Sequence, residues 1–208
     1  GSSAASDVYK RQPLLNARLT RDTKRWRLGM RYGLGALVLV ILALVLRGGW
    51  LWLLWPAVSL GLIKANYFVL GASGFQKRKD GRLTPAARWL YAPYLAAAWI
   101  NSRLWTRKHP QPDQIVDNVW LGRIPANGEQ GSFKAIVDLC AELPINPQGR
   151  AYECVPVLDL IAPSPAECQQ AAEAIERLRS NGPLLVCCAL GYSCLLYTSD
   201  AADERSSV

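Results

Sequence analysis

The sequence predicts an N-terminal α-helical membrane region followed by an incomplete α/β domain. Two uncharged apolar runs, residues 32–46 and 50–63, lie early in the chain. Charge then divides the chain, because residues 1–110 carry a net charge of +15 and residues 111–208 a net charge of −7. In the second half, short apolar segments alternate with an amphipathic helical pattern, which is typical of a parallel sheet. A basic half with long apolar runs favours contact with a lipid bilayer over binding of nucleic acid.

The two apolar runs predict a helical hairpin over residues 27–46 and 50–70, within a membrane region of residues 13–108. Each segment approaches the roughly 20 residues that span a bilayer. Basic residues are dense before and after the hairpin, whereas its turn carries one positive charge, Arg47. The positive-inside rule then places both ends in the cytoplasm. The alternative, a buried hairpin of a soluble protein, is disfavoured because neither run has a polar face.

A third apolar stretch, residues 88–105, predicts either an interfacial helix or a third span. It has fourteen uncharged residues, 89–102, flanked and interrupted by Trp and Tyr. That length is short for a span, and Trp and Tyr favour the headgroup region, so the interfacial helix is preferred. A third span would move the following domain to the other side of the membrane.

Residues 109–116 are expected to be a linker, since they contain two prolines. The domain beyond, residues 117–193, begins with three predicted strands, at residues 117–123, 133–139 and 152–158. Pro156 predicts that the third strand lies at an edge of the sheet. Asp138, inside the second strand, is interpreted as a hydrogen-bonding residue.

A capping box then predicts a helix that begins at Ser164, with Pro165 at its first position and Glu167 at its third. A strand over residues 183–187 follows and leads to Cys188. The order strand, helix, strand indicates parallel strands. Ligands of such sheets bind beyond the carboxyl ends of the strands, which is where Asp159 and Cys188 fall.

The loop after the last strand is the candidate catalytic feature. A thiol that enters a glycine-bearing turn meets converging backbone N–H groups, which lower its pKa and bind oxyanions. Residues 188–194 resemble the phosphate-binding loop of dual-specificity and tyrosine phosphatases, whose signature is Cys, five residues, Arg. Cys188 fits, Gly191 matches the family's glycine, Cys187 replaces its usual His, and Cys194 stands in place of Arg. The five intervening residues are Ala189, Leu190, Gly191, Tyr192 and Ser193.

Both ends of the chain are similar to a transposase sequencing adapter. Residues 2–12 can be encoded by DNA whose reverse complement, read from its second base, encodes residues 194–203. We therefore expect residues 1–12 and 194–208 to be artefacts of that adapter. On this interpretation the natural sequence is interrupted one residue before the expected Arg, and Cys194 carries no information about the family signature.

The resemblance implies a bacterial membrane-anchored cysteine phosphatase with a parallel-sheet, phosphotyrosine-phosphatase-like fold. It implies that Cys188 attacks phosphorus, that Asp159 protonates the leaving group, and that the loop amides of residues 189–193 bind the phosphoryl oxygens. No cofactor or metal is expected. Substrates would be phosphorylated proteins or phospholipid head groups, and the domain would lie on the cytoplasmic side of the inner membrane. The chain as written, without the Arg, is expected to be inactive.

Other interpretations remain open at this point. Cys188 could be a core cysteine and Asp159 a turn cap. Cys187 is expected to pack the strand end, or else to form a reversible disulfide with Cys188. The parent could be a rhodanese-like sulfurtransferase, or a membrane scaffold whose degenerate domain binds phosphate without turnover. The single histidine, His109, lies in the linker, so it cannot pair with the loop.

The topology can be tested with reporter fusions after Gln111. Because basic residues flank the hairpin on both sides, we expect a fluorescent protein fused there to fluoresce and alkaline phosphatase fused there to be inactive. Active alkaline phosphatase at this position would show that residues 88–105 cross the membrane.

Overall fold

The structure is a computed structural model that describes the backbone of residues 2–191 and the side chains from residue 19 onward. It contains a helical region followed by an α/β domain, as the sequence predicts. The helices are α1 (Ser2–Leu46), α2 (Leu54–Ala65), α3 (Pro85–Leu90), α4 (Ala92–Trp105) and α5 (Pro165–Leu178). The strands are β1 (Asp113–Val116), β2 (Val119–Arg123), β3 (Ala135–Cys140), β4 (Ala151–Val157) and β5 (Leu184–Cys188).

Helices α1 and α2 form an antiparallel hairpin, and two glycines of α1 lie close to side chains of the returning segment. A Cβ atom at Gly29 would lie 2.5 Å from the ring of Phe68, and one at Gly33 would lie 2.8 Å from the side chain of Lys64. Two segments are long and apolar enough to span a membrane, Leu19–Leu46 and Gly48–Phe75. Short 3₁₀ segments flank α2 and a π-helical segment follows it. Helix α1 begins at Ser2, well before the predicted start at residue 27, and its first turns are formed by the adapter-like residues.

Helices α3 and α4 occupy the third apolar stretch. They are divided at Tyr91, just before Pro93, and together they connect the hairpin to the sheet. The ring of Trp89 in α3 stacks on Trp55 with centroids 5.4 Å apart. Helix α4 packs through Leu95, Ala98 and Trp99 against the core on the face of the sheet that carries Cys187. The interfacial location of this stretch stays a prediction.

The described strands form one mixed sheet in the order β1-β2-β5-β3-β4. Strands β2, β5, β3 and β4 are mutually parallel, and β1 pairs antiparallel with β2. The prediction that residues 109–116 are a linker is therefore wrong for its last four residues, which are β1. Pairing with β1 satisfies the backbone groups along the outer edge of β2, which would otherwise be exposed. The turn between them places Asn118 at φ 64°, a conformation that Asn tolerates.

The four predicted strands lie within two residues of their observed bounds, whereas the predicted helix over residues 50–70 is longer than α2 at both ends. Pro156 lies in β4, which is an edge strand of the described sheet, as predicted. The capping box is present, since Ser164 Oγ accepts from the N–H of Glu167 and the Glu167 carboxylate accepts from the N–H of Ser164. Helix α5 then buries Ala171, Ala174 and Leu178 against β3, β4 and β5.

A buried ion pair ties the segment after the hairpin to the sheet. Lys77 Nζ lies 2.6 Å from Asp138 Oδ2 and also donates to the carbonyls of Cys140 and Leu143. The hydroxyl of Tyr152 donates to the same carboxylate oxygen at 2.8 Å. Burial acts to lower the pKa of Lys77, but the Asp138 carboxylate outweighs it and holds that pKa above its usual range. Asp138 is thus a hydrogen-bonding residue, as interpreted, although the sequence did not indicate its partner Lys77.

Removing one member of this pair should destabilise the fold strongly. In Lys77→Met the buried Asp138 carboxylate loses its counter-charge, and we expect the free energy of unfolding to fall by about 3–5 kcal/mol. Urea denaturation in detergent micelles, followed by tryptophan fluorescence, measures this. Lys79→Met, at an exposed position two residues away, is the control. A loss below about 1 kcal/mol for Lys77→Met would show that the pair contributes little.

Candidate active site

The candidate site lies at the carboxyl edge of the parallel strands. Glu142 follows β3, Asp159 follows β4, and Cys188 ends β5. Because β3 lies between β5 and β4, the strands that lead to Cys188 and Asp159 are two strand spacings apart, roughly 10 Å. The structure thus brings both predicted catalytic residues to one edge of the sheet, as the strand order indicates.

The loop after β5 turns back over the thiol of Cys188. The backbone N–H of Gly191 donates to Cys188 Sγ at 3.1 Å, and Cys188 is 1% exposed. Gly191 has φ +78°, and a Cβ atom there would lie 2.7 Å from the backbone N of Arg123. Glycine is therefore required both by the backbone conformation and by the contact with β2. The remaining predicted loop residues, Tyr192 and Ser193, lie outside the described residues.

Two neighbours of Cys188 are held firmly in place. The carbonyl of Ala189 accepts a hydrogen bond from Ser102 Oγ of α4 at 2.5 Å. Cys187 is buried with the core on the opposite face of the sheet from Cys188, and burial raises the pKa of its thiol. Cys187 therefore packs the strand end. Its side chain points away from that of Cys188, so the two thiols are not placed to form a vicinal disulfide.

Asp159 lies in an environment that favours its protonated form. Its backbone N–H donates to Glu142 Oε1 at 2.8 Å, and its carbonyl accepts from the hydroxyl of Tyr67 at 2.9 Å. Among the described residues its buried Oδ1 has no hydrogen-bond partner. Burial raises the pKa of the carboxyl group, and the N–H of Leu160 opposes this effect only in part. Such a carboxyl group can retain a proton near neutral pH and donate it.

Glu142 is a site residue that the sequence reasoning missed. It is 2% exposed, and its Oε2 lies 3.6 Å from Cys140 Sγ. Burial, reinforced by the nearby Asp159 carboxylate, raises the pKa of Glu142 to about 8. The sequence did carry one signal for this residue. Glu142 is an acidic residue two positions beyond the carboxyl end of β3, a fully buried parallel strand.

A cavity of about 410 Å³ connects this edge of the sheet to the helical region. Asp159 and Glu142 line one side of it and residues of α1, α2 and α4 line the other. Among the described residues its lining contains no basic side chain and does not include Cys188. The lining residues are Tyr32, Pro56, Leu60, Pro93, Tyr94, Ala97, Ala98, Asn101, Glu142, Leu143, Asp159, Leu160, Ala189 and Leu190.

The fold and this site define a protein with a helical, bilayer-compatible region and a mixed α/β sheet that carries acids and a thiol at one edge. In comparisons with known proteins, no family model, curated protein or solved structure matches the chain. Among the side chains described, those of residues 19–191, no three His, Cys, Asp or Glu are grouped as a metal site. The function is therefore argued from the site itself.

The buried acid pair should make stability depend on pH. The pKa of Glu142 rises from its usual 4.5 to about 8 on folding, so the folded chain binds more protons than the unfolded chain between these values. Stability is then greatest below pH 4.5 and falls as the pH rises to about 8. We expect Glu142→Gln, which keeps an acceptor for the N–H of Asp159, to raise stability at pH 8 by up to a few kcal/mol. Thermal denaturation across pH 5–8 measures the slope.

The matched control is Glu176→Gln at an exposed position of α5. Glu176→Gln should leave the pH dependence of stability as it is in the protein without substitutions, whereas Glu142→Gln should flatten it. An equal slope in both variants would show that Glu142 is ionised throughout this range.

Proposed function

We propose that the uninterrupted protein is a membrane-anchored cysteine phosphatase that hydrolyses phosphate monoesters through a cysteinyl-phosphate intermediate. The observation that carries the proposal is the arrangement at the sheet edge. A glycine-bearing loop directs a backbone N–H at Cys188 Sγ, and Asp159, whose pKa is raised, lies on the same edge. Nucleophile and proton donor flank the place where a phosphoryl group would bind.

The reaction follows from these two residues. The Cys188 thiolate forms a bond to phosphorus while the ester P–O bond breaks, and the leaving oxygen takes a proton from Asp159. Water then attacks the cysteinyl phosphate, giving a proton to the Asp159 carboxylate as the P–S bond breaks and the thiolate is released. Amides of Ala189, Leu190 and Gly191, with Tyr192 and Ser193, would hold the phosphoryl oxygens, together with the Arg expected at position 194.

Glu142 supports the acid role of Asp159. Its carboxylate oxygen holds the backbone N–H of Asp159 at 2.8 Å, which fixes the loop after β4. Glu142 also shares the buried cavity with Asp159, and two close carboxyl groups in such a site resist simultaneous ionisation. The pair therefore retains at least one proton near neutral pH, and we propose that Asp159 delivers it to the leaving group.

The proposed location is the bacterial inner membrane, with the α/β domain in the cytoplasm. The basic segment that precedes the hairpin contacts that domain directly, since Arg21 forms an ion pair with Glu167 at 3.1 Å. A cytoplasmic location would keep Cys188 reduced. A rhodanese-like sulfurtransferase is disfavoured because it gives no role to a protonated Asp159.

A membrane scaffold with a degenerate phosphate-binding domain is the second candidate. It is favoured by one observation, since no basic side chain among the described residues lines the cavity. The codon that follows Ser193 in the uninterrupted gene distinguishes the two candidates. Arg supports the enzyme, and another residue supports the scaffold.

The catalytic roles can be tested in the uninterrupted protein with p-nitrophenyl phosphate. We expect Cys188→Ser to abolish turnover, because the nucleophile is removed. Asp159→Asn should lower kcat by about 10²–10⁴, since the leaving group is no longer protonated, and should remove the basic limb of the pH–rate profile. Cys168→Ser, on α5, is the matched control and should keep its activity.

Thiol labelling gives an independent readout of the same proposal. Iodoacetamide at pH 6 should modify Cys188 far faster than Cys140, Cys154 or Cys168, and vanadate should protect it. The pKa values of these three thiols are raised by burial, that of Cys154 to about 11. Equal labelling of all four thiols would identify Cys188 as a core residue and contradict the proposal.

A further inference from the structure

A basic groove lies at the opposite end of β4 from the candidate active site. Its volume is about 540 Å³, and it is formed between the segment after the hairpin and the loop that leads into β4. Arg150 comes directly before β4, whereas Asp159 follows this strand. The seven residues of β4 span roughly 20 Å, so the groove is separate from the edge that carries Cys188.

The two walls of this groove are fixed to each other by backbone contacts. The N–H of Ile145 donates to the carbonyl of Gly81 at 2.9 Å, and the N–H of Arg78 donates to the carbonyl of Arg82 at 2.8 Å. Gly81 has φ +79°, and a Cβ atom there would lie 2.6 Å from the side chain of Ile145. This close approach holds the basic residues of both segments around one space.

Three cationic side chains line the groove without a carboxylate partner. Lys79 and Arg82 belong to the segment after the hairpin, and Arg150 belongs to the loop before β4. Among the described residues none of the three forms an ion pair, and Asp80 is the one acid in the lining. Three positive charges and one negative charge give this lining a net charge of +2.

Arg150 is the fixed member of this group. Its side chain is half-buried, with Nε donating to the carbonyl of Phe133 at 2.9 Å and Nη2 to the carbonyl of Gly131 at 3.2 Å. These acceptors are neutral, so they hold the guanidinium in place and leave its positive charge uncompensated. A guanidinium that is already ordered loses little side-chain entropy when it binds an anion.

The amide side chains of the groove are oriented so that their N–H groups remain available. Asn146 Oδ1 accepts from the backbone N–H of Gln148 at 3.3 Å, and Gln148 Oε1 accepts from Arg150 Nη1 at 3.3 Å. Asp80 Oδ1 likewise accepts from the backbone N–H of Arg82 at 3.1 Å. Most side-chain acceptors around the groove are thus engaged within the protein, whereas cationic and amide donors are left for a ligand.

We infer that this groove binds the phosphate group of a small anionic ligand, at a site separate from the loop after β5. A phosphate monoester carries about 1.5 to 2 negative charges at neutral pH, which matches the net charge of the lining. Its oxygens accept hydrogen bonds from guanidinium, ammonium and amide N–H groups alike. A volume of about 540 Å³ also leaves room for the organic part of such a ligand.

A small ligand fits this surface better than a nucleic acid does. Residues 111–208 carry a net charge of −7, which repels a long polyanion but leaves a local basic groove effective. Two sources supply such a phosphate, a lipid head group and a soluble compound. Lys79 follows Phe75, the last residue of an apolar segment, by four residues and so lies within about 14 Å of it. A head group is therefore within reach, and the experiment separates the two sources.

The inference is tested by binding of inorganic phosphate to the uninterrupted protein in detergent micelles, measured by isothermal titration calorimetry. We expect Lys79→Gln combined with Arg82→Gln to bind one phosphate fewer per chain than the protein without substitutions, because two of the three cations are removed. Both side chains are exposed, so the double variant should fold, and Arg150, which anchors neighbouring carbonyls, is left unchanged. Arg88→Gln, exposed on α3 outside the groove, is the matched control and should keep the number of bound phosphates.

The source of the phosphate is identified with two further probes, glycerol 3-phosphate and dioctanoyl phosphatidate. These titrations use Cys188→Ser, which prevents turnover of the probes under the proposed function. Binding of the phosphatidate at least tenfold tighter than binding of glycerol 3-phosphate, and lost in the groove double variant, would identify a lipid head group. Equal affinities that are both lost in the double variant would identify a soluble compound.

An unchanged number of bound phosphates in the double variant would overturn the phosphate site, as would an equal loss in Arg88→Gln. Vanadate should protect Cys188 from iodoacetamide equally well with and without the groove substitutions. Loss of that protection in the double variant would show that Lys79 and Arg82 act on the loop after β5, and would overturn a separate site. Failure of the proposed function leaves this test unaffected, because binding is measured without turnover.

Discussion

The ion pair between Lys77 and Asp138 is the interaction on which the arrangement of the two regions depends. It joins the segment after the hairpin to the buried centre of β3, and its lysine also binds the carbonyls of Cys140 and Leu143 at the carboxyl end of that strand. Asp138 in turn accepts from the N–H of Cys140 at 2.9 Å. One pair thus sets both the approach of the helices and the path of the chain toward Glu142. Because both charges are buried, neither can be lost without leaving the other unpaired.

Polar groups at the candidate site are arranged in a way that opposes stability. Two carboxyl groups share one cavity, and an oxygen of Asp159 is buried without a hydrogen-bond partner among the described residues. Such arrangements are costly to folding and concentrate at sites that transfer protons. The apolar packing of α5 on β3, β4 and β5 provides the rigid support against which this cost is offset.

The helical region contributes walls of the candidate site as well as segments that are apolar enough to span a membrane. Tyr67 and Ser102 reach the loops after β4 and β5 respectively, so the loops are positioned by the helices as well as by the sheet. A soluble α/β domain with the same strand order would have this edge open to water. Here Tyr67, which follows α2, and Ser102 of α4 lie against this edge.

The sequence by itself determined the features that depend on neighbouring residues. The apolar runs, the capping box at Ser164, the edge position of Pro156 and the thiol after a strand are all read from local spacing. Only the tertiary structure decided the pairing of β1, the partner of Asp138 and the role of Glu142. These contacts join residues far apart in the chain, 61 positions for Lys77 and Asp138 and 17 for Glu142 and Asp159. Their free energy comes from burial that no local pattern records.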